Sequence, residues 1–137
     1  VRLATFCSKN NHTAGLIIEK QAFSVSVLSQ ETKPAIFGRF GYKSGKDINK
    51  LEGITVRYGT TGVPVITDNA IAVFECRVVQ IIDAGSHLIF IGELVNSEMI
   101  DEQQEPMTYR YYRKVRKGMS PENAPTYTGH IKPEPRQ

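Results

Sequence analysis

Ala70-Ile71-Ala72-Val73-Phe74-Glu75-Cys76-Arg77-Val78-Val79-Gln80-Ile81-Ile82 is the stretch whose reading decides the fold, together with the turn Asp83-Ala84-Gly85-Ser86 and the run His87 to Met99. β-Branched and aromatic side chains, which suit a pleated surface, dominate the first run. Counting by twos sets Ile71, Val73, Val79 and Ile81 on one face and Phe74, Cys76 and Val78 on the other. Apolar side chains on both faces predict a barrel strand covered by a further layer. Asp83 to Ser86 supplies turn residues, so His87 to Met99 returns as the second arm of an antiparallel hairpin.

Toward the N-terminus, Val1 to Phe6 predicts a strand and Ala14 to Lys20 a short helix. Between them stands Cys7-Ser8-Lys9-Asn10-Asn11-His12-Thr13, which offers hydroxyls, amides and an ammonium where a helix begins. Unpaired N–H groups and the positive end of the helix dipole make such a place a natural anion site. Thr13 has a second reading as the helix N-cap, and His12 a second reading as an exposed loop histidine. Phe23 to Leu28 alternates at period two and predicts a half-buried strand. Thr32 to Phe40 predicts a helix with Pro34 in its first turn, broken by Gly38 and Gly41. Tyr42 to Leu51 is polar and predicts a surface loop or a short frayed helix. Ile54 to Tyr58 and Val63 to Ile66 predict two further strands around the turn Gly59 to Gly62, with Pro64 confining the second to an edge or a bulge. Beyond Lys117, Pro121, Pro125, Pro133 and Pro135 predict an extended tail. The expected division is a domain over residues 1–117 and a tail over 118–137.

At 137 residues, 40% of them hydrophobic, the chain has the size and composition of one globular domain. No apolar run approaches the ~20 residues of a membrane-spanning helix. Cys7 and Cys76 are too few and too far apart for a zinc ribbon or a disulfide scaffold. On strands they read as buried reduced thiols, which points to a cytoplasmic setting. His12, His87 and His130 lack metal-ligand spacing with them, and no nucleophile elbow is present. The net charge of +3 is uneven: Arg110, Arg113, Lys114, Arg116 and Lys117 crowd one segment. That basic patch suits an anionic ligand. A β-barrel that binds nucleic acid through it is the rival reading, disfavoured because few aromatics are interleaved with the cations.

Taken in order, the loop Ser8 to Thr13, the strand Phe23 to Leu28 and the segments Phe40-Gly41-Tyr42-Lys43-Ser44-Gly45-Lys46-Asp47 and Gly62-Val63-Pro64-Val65-Ile66 form a recognisable set. They are followed by Phe74-Glu75-Cys76-Arg77-Val78 and Asp83 to Leu94. The set resembles the flavin reductase-like family of FMN-binding split β-barrels across essentially the whole chain. Pro106 to Gly118 and Ala124-Pro125-Thr126-Tyr127 resemble the branch that includes the flavin reductase domain of high-molecular-weight rubredoxin, though no CxxC pair follows here.

The resemblance implies a mainly β fold, an antiparallel Greek-key split β-barrel with a few short peripheral helices. It implies a homodimer with FMN near each subunit interface, reduced by NAD(P)H and passing electrons to an acceptor; the alternative is a flavoprotein electron carrier that accepts electrons from a redox protein such as rubredoxin. By the same resemblance Ser8, Lys9, Asn11 and Thr13 hold the FMN phosphate, and Arg39 and Phe40 lie near the flavin edge. His87 lies near the nicotinamide pocket, although Ser86 stands where related reductases have Asp in Gly-Asp-His. Tyr109, Tyr111 and Tyr112 either cover a ring or pack a dimer. The family pattern also has an earlier strand and loop that touch the isoalloxazine, and the sequence begins after that point. No nucleic acid and no membrane are expected among the partners.

Overall fold

The computed structural model describes residues 1–42, 45 and 49–117. Lys43, Ser44, Lys46 and Asp47, and the tail over 118–137, lie outside the described residues. Two compact units are present, Val1–Met107 and one that starts at Thr108.

The first unit is built on one antiparallel sheet in the order β1-β6-β5-β2: β1 Arg2–Ser8, β6 His87–Met99, β5 Ala70–Asp83 and β2 Ala22–Leu28. The expected hairpin of β5 and β6 forms its centre. Helix α1, His12–Lys20, links β1 at one edge to β2 at the other. A small second sheet pairs β3 Val56–Tyr58 with β4 Pro64–Ile66. This curled sheet is half of a barrel, as the sequence led us to expect.

Two faces can be followed from the register. On the first, Phe23, Cys76 and Phe90 form the core with Ala14 and Ile17 of α1, flanked by Leu3, Cys7, Val25, Val78, Leu88 and Leu94. Gly92 sits at the centre of this face, where a Cβ would come within 2.6 Å of Cys76 Cβ and the Phe23 ring. Only a glycine lets these elements approach so closely. On the second face, Ser24 and Ser26 of β2 donate to the carbonyls of Pro64 and Ile66 at 2.7 and 2.6 Å, which ties the β3–β4 hairpin down.

Three expectations need correction. The register shift between Val78 and Gln80 is a bulge at Val79, so Ile81 pairs with Phe90 on the first face while Val73 lies on the second. The odd residues of β5 therefore do not share a face. Nor is the whole strand covered: Ile71 and Val73 are buried, but Val79, Ile81 and Ile82 are exposed. Lastly, the helix after Pro34 is short, Pro34–Phe37, and runs into a π-helical turn, Gly38–Tyr42. Gly38 keeps right-handed helical angles (φ −59°, ψ −45°), so it widens the helix and does not stop it.

In the second unit, α3 spans Tyr109–Lys114. Its N-cap is Thr108, whose Oγ1 accepts from the Tyr111 N–H at 3.1 Å.

Candidate cofactor site

β1 runs further than its apolar residues suggest, through Cys7 and Ser8, because the ladder with β6 continues to Ser8 opposite His87. The connecting loop is then only Lys9-Asn10-Asn11, and α1 starts at His12. Asn11 is the N-cap, with extended backbone angles and no side-chain bond to the helix. Its side chain turns back to Cys7 instead. Burial pushes the Cys7 thiol up, and the bond from Asn11 opposes that. Thr13 is therefore not the cap. It lies exposed in the first turn, and its hydroxyl has no partner among the described residues. The Ala14 N–H is taken by the Asn11 carbonyl at 3.1 Å, so among the described residues the His12 and Thr13 N–H groups are the ones open to a ligand.

The same short loop is fastened to the β5–β6 turn. The Lys9 N–H donates to the Ser86 carbonyl at 3.1 Å, and Lys9 Nζ lies 2.6 and 2.7 Å from the two carboxylate oxygens of Asp83. Asp83 is in turn held by the Gly85 N–H at 2.8 Å. These bonds, led by the one from Lys9, hold the Asp83 carboxyl below the usual carboxylate range. Ser86 Oγ is 2.8 Å from His87 Nδ1. Ser8 Oγ accepts from the Asn10 N–H at 3.3 Å.

A third segment arrives from the far side. A Cβ on Gly45 would stand 3.1 Å from His12 Cδ2, so Gly45 lies against the start of α1. Arg39 and Phe40 belong to that turn and are half-buried. Arg39 Nη1 donates to the Glu52 carbonyl, and Lys50 Nζ to the Phe40 carbonyl at 3.4 Å. The structure thus brings Ser8, Lys9, Asn11, Thr13 and His87 to one end of the sheet. Arg39 and Phe40 stay tied to the segment around residues 50–52.

Asp83 and Glu75 are the residues that sequence reasoning passed over. Asp83 was visible only as a turn former. Glu75 carried a signal, as the one acid in the apolar run from Ala70 to Ile82. It is 2% exposed and accepts from the Thr61 N–H (3.2 Å), Thr61 Oγ1 (2.8 Å) and Asn96 Nδ2 (3.1 Å). Burial works to raise its pKa, but these bonds outweigh burial and leave the carboxyl below its ordinary value. A cavity of about 240 Å³ opens beside it, lined by Tyr58, Val73, Phe74 and Asn96, with the Arg57–Glu98 ion pair (2.6 Å) among its walls. From His87 to Asn96 along β6 is roughly 30 Å at strand rise. One mononucleotide does not reach from the Lys9 loop to that cavity. Among the described residues no cluster of His, Cys, Asp or Glu could hold a metal, and no helix is long and apolar enough to cross a membrane.

A family model for the flavin reductase like domain matches residues 2–118. The chain belongs to this family. It is 39% identical over 126 residues to a high molecular weight rubredoxin of Moorella thermoacetica, covering 92% of this chain and 55% of that protein. It is 39% identical over 127 residues to a ferric-chelate reductase (NAD(P)H) of Archaeoglobus fulgidus, covering 93% and 75%. This family member thus spans about half the length of the first relative and three quarters of the second. Among solved structures, an FMN-binding protein from Thermus thermophilus aligns with a TM-score of 0.65 at 25% identity, over 74% of this chain and 55% of that one. An NADH:FAD oxidoreductase of Streptomyces globisporus shares the fold at a TM-score of 0.67 and 23% identity, over 77% of this chain and 62% of that one.

Proposed function

We propose that this family member is an oxidoreductase of the NAD(P)H:flavin reductase type, which takes electrons from a reduced nicotinamide through bound FMN to an acceptor. The carrying observation is the convergence of the Lys9–Asn11 loop, the open first turn of α1 and the Asp83–His87 turn at one sheet end. The helix start without a side-chain cap, the exposed Thr13 hydroxyl and the Lys9 ammonium form a donor set that fits a phosphate monoester. Ser8, Lys9, Asn11 and Thr13 would hold it, and Arg39 and Phe40 would border the flavin. FMN supplies the redox chemistry when bound; the protein binds, orients and shields it. FMN is favoured over FAD because the Thermus thermophilus neighbour is an FMN-binding protein.

The second sheet face supports a homodimer. Phe6 and Ile82 are exposed there (66% and 39%), and Ala4, Ile89 and Ile91 share the face by register. His87 emerges on the same face, opposite Ser8. It therefore neighbours the phosphate end of its own subunit's cofactor. Its service to a nicotinamide would run across the subunit interface. A second reading is an electron carrier paired with a redox protein, favoured by the rubredoxin-named relative.

Titration of the apo-protein with FMN, followed by stopped-flow reduction with NADH and NADPH, tests both readings. Tight FMN binding and rapid bleaching by a nicotinamide are expected. Binding without bleaching, while dithionite still reduces the flavin, gives the carrier reading; failure to bind any flavin overturns both.

A further inference from the structure

We propose that Asp83 competes with the cofactor phosphate for Lys9, and so acts as a brake on the binding of phosphate-bearing flavins. This rests on the phosphate reading of the Lys9 loop. Lys9 Nζ meets both carboxylate oxygens of Asp83, at 2.6 and 2.7 Å. The Gly85 N–H also donates to Oδ1 at 2.8 Å, which steadies the carboxylate beside Lys9. Lys9 is fastened to the same turn through its own N–H on the Ser86 carbonyl. Two of the ammonium's three donors are thus engaged by one anion. An incoming phosphate meets a neutral pair at the mouth of the site where the loop sequence alone promises a cation.

For a dianion this has two costs: the loss or sharing of Lys9, and repulsion by the carboxylate beside it. The pair is exposed, with side chains 39% and 66% accessible, so it is weak enough to open. A charge placed there alters affinity without locking the site. A flavin without phosphate has no interest in Lys9, and its affinity is indifferent to Asp83. The brake is therefore specific to the phosphate end of the ligand.

Asp83→Asn removes the charge and keeps an acceptor for Gly85, and Asp83→Ser is a second variant with the same property. Fluorescence titrations of the full chain with FMN and with riboflavin, at low salt, read the effect. Both variants are expected to bind FMN about two- to fivefold more tightly, the scale of a partly exposed ion pair, with riboflavin unchanged. In a Lys9→Gln background the gain should shrink to what relief of repulsion alone supplies, and a gain of undiminished size there overturns the competition for Lys9. Unchanged or weaker FMN binding in both variants, in a protein that still prefers FMN to riboflavin, overturns the brake and leaves the phosphate site standing. If the parent binds FMN no better than riboflavin, and Lys9→Gln alters neither, the phosphate site itself falls.

Discussion

Glu75 shows how much one side chain can hold. Its carboxylate joins β5 to β6 through Asn96 and to the β3–β4 turn through Thr61. Gly59 passes so near that a Cβ there would strike the carboxylate. Because the folded carboxyl titrates below its ordinary value of about 4.3, the folded chain binds fewer protons than the unfolded one across that range. The stability it contributes is complete above that ordinary value and is lost as pH falls through the lowered one. Urea midpoints measured from pH 7 to pH 3 should fall more steeply for the parent than for Glu75→Gln. Glu75→Ala strands the Asn96 and Thr61 donors, and should cost about 1–3 kcal/mol at pH 7. At the other end of the sheet, Lys9→Glu sets a like charge against the proposed phosphate position. FMN affinity should drop tenfold or more, since charge-assisted bonds are worth about 1.5–3 kcal/mol. Unchanged affinity would move the site elsewhere.

At the scale of elements, the central hairpin was legible because long apolar strands and a Gly-containing turn leave few alternatives. Its faces were not, since a bulge such as that at Val79 leaves no mark in the alternation itself. The loop from Ser8 to Thr13 was legible as a strand-to-helix connection, but not in its cap: Asn11 and Thr13 are both good N-caps, and only the extension of β1 to Ser8 decides between them. The Lys9–Asp83 pair joins residues 74 positions apart, beyond the reach of any local pattern. Gly92 is a further position that only packing explains. Gly92→Ala would press a methyl into Cys76 and Phe23, and overpacking of this kind costs about 1–3 kcal/mol. A lowered melting temperature with a slightly shifted near-ultraviolet spectrum is expected. An unchanged melting temperature would mean that β6 yields at this point more easily than its central place in the sheet suggests.

At the scale of the whole molecule, the second sheet face sets the last expectation. Exposed Phe6 and Ile82, with Ala4, Ile89 and Ile91 on the same face, form an apolar surface of the kind that marks an interaction site. The described residues of the first unit leave this surface open although the β3–β4 hairpin covers the same face lower down. On the proposed dimer reading a second copy covers it, with His87 at its rim within reach of the neighbouring cofactor. The chain should sediment as a dimer at micromolar concentration, and Phe6→Glu should shift it to a monomer by burying a charge against the partner. His87→Ala should leave the dimer and FMN affinity intact, yet slow bleaching by NADH or NADPH about ten- to a hundredfold, the usual loss for a positioning contact. Phe6→Glu should slow bleaching similarly with FMN affinity kept, because it removes the surface through which His87 is proposed to act. A monomeric parent that bleaches at full speed would confine nicotinamide and flavin to one subunit, and would return His87 to the role of a strand-end residue bonded to Ser86.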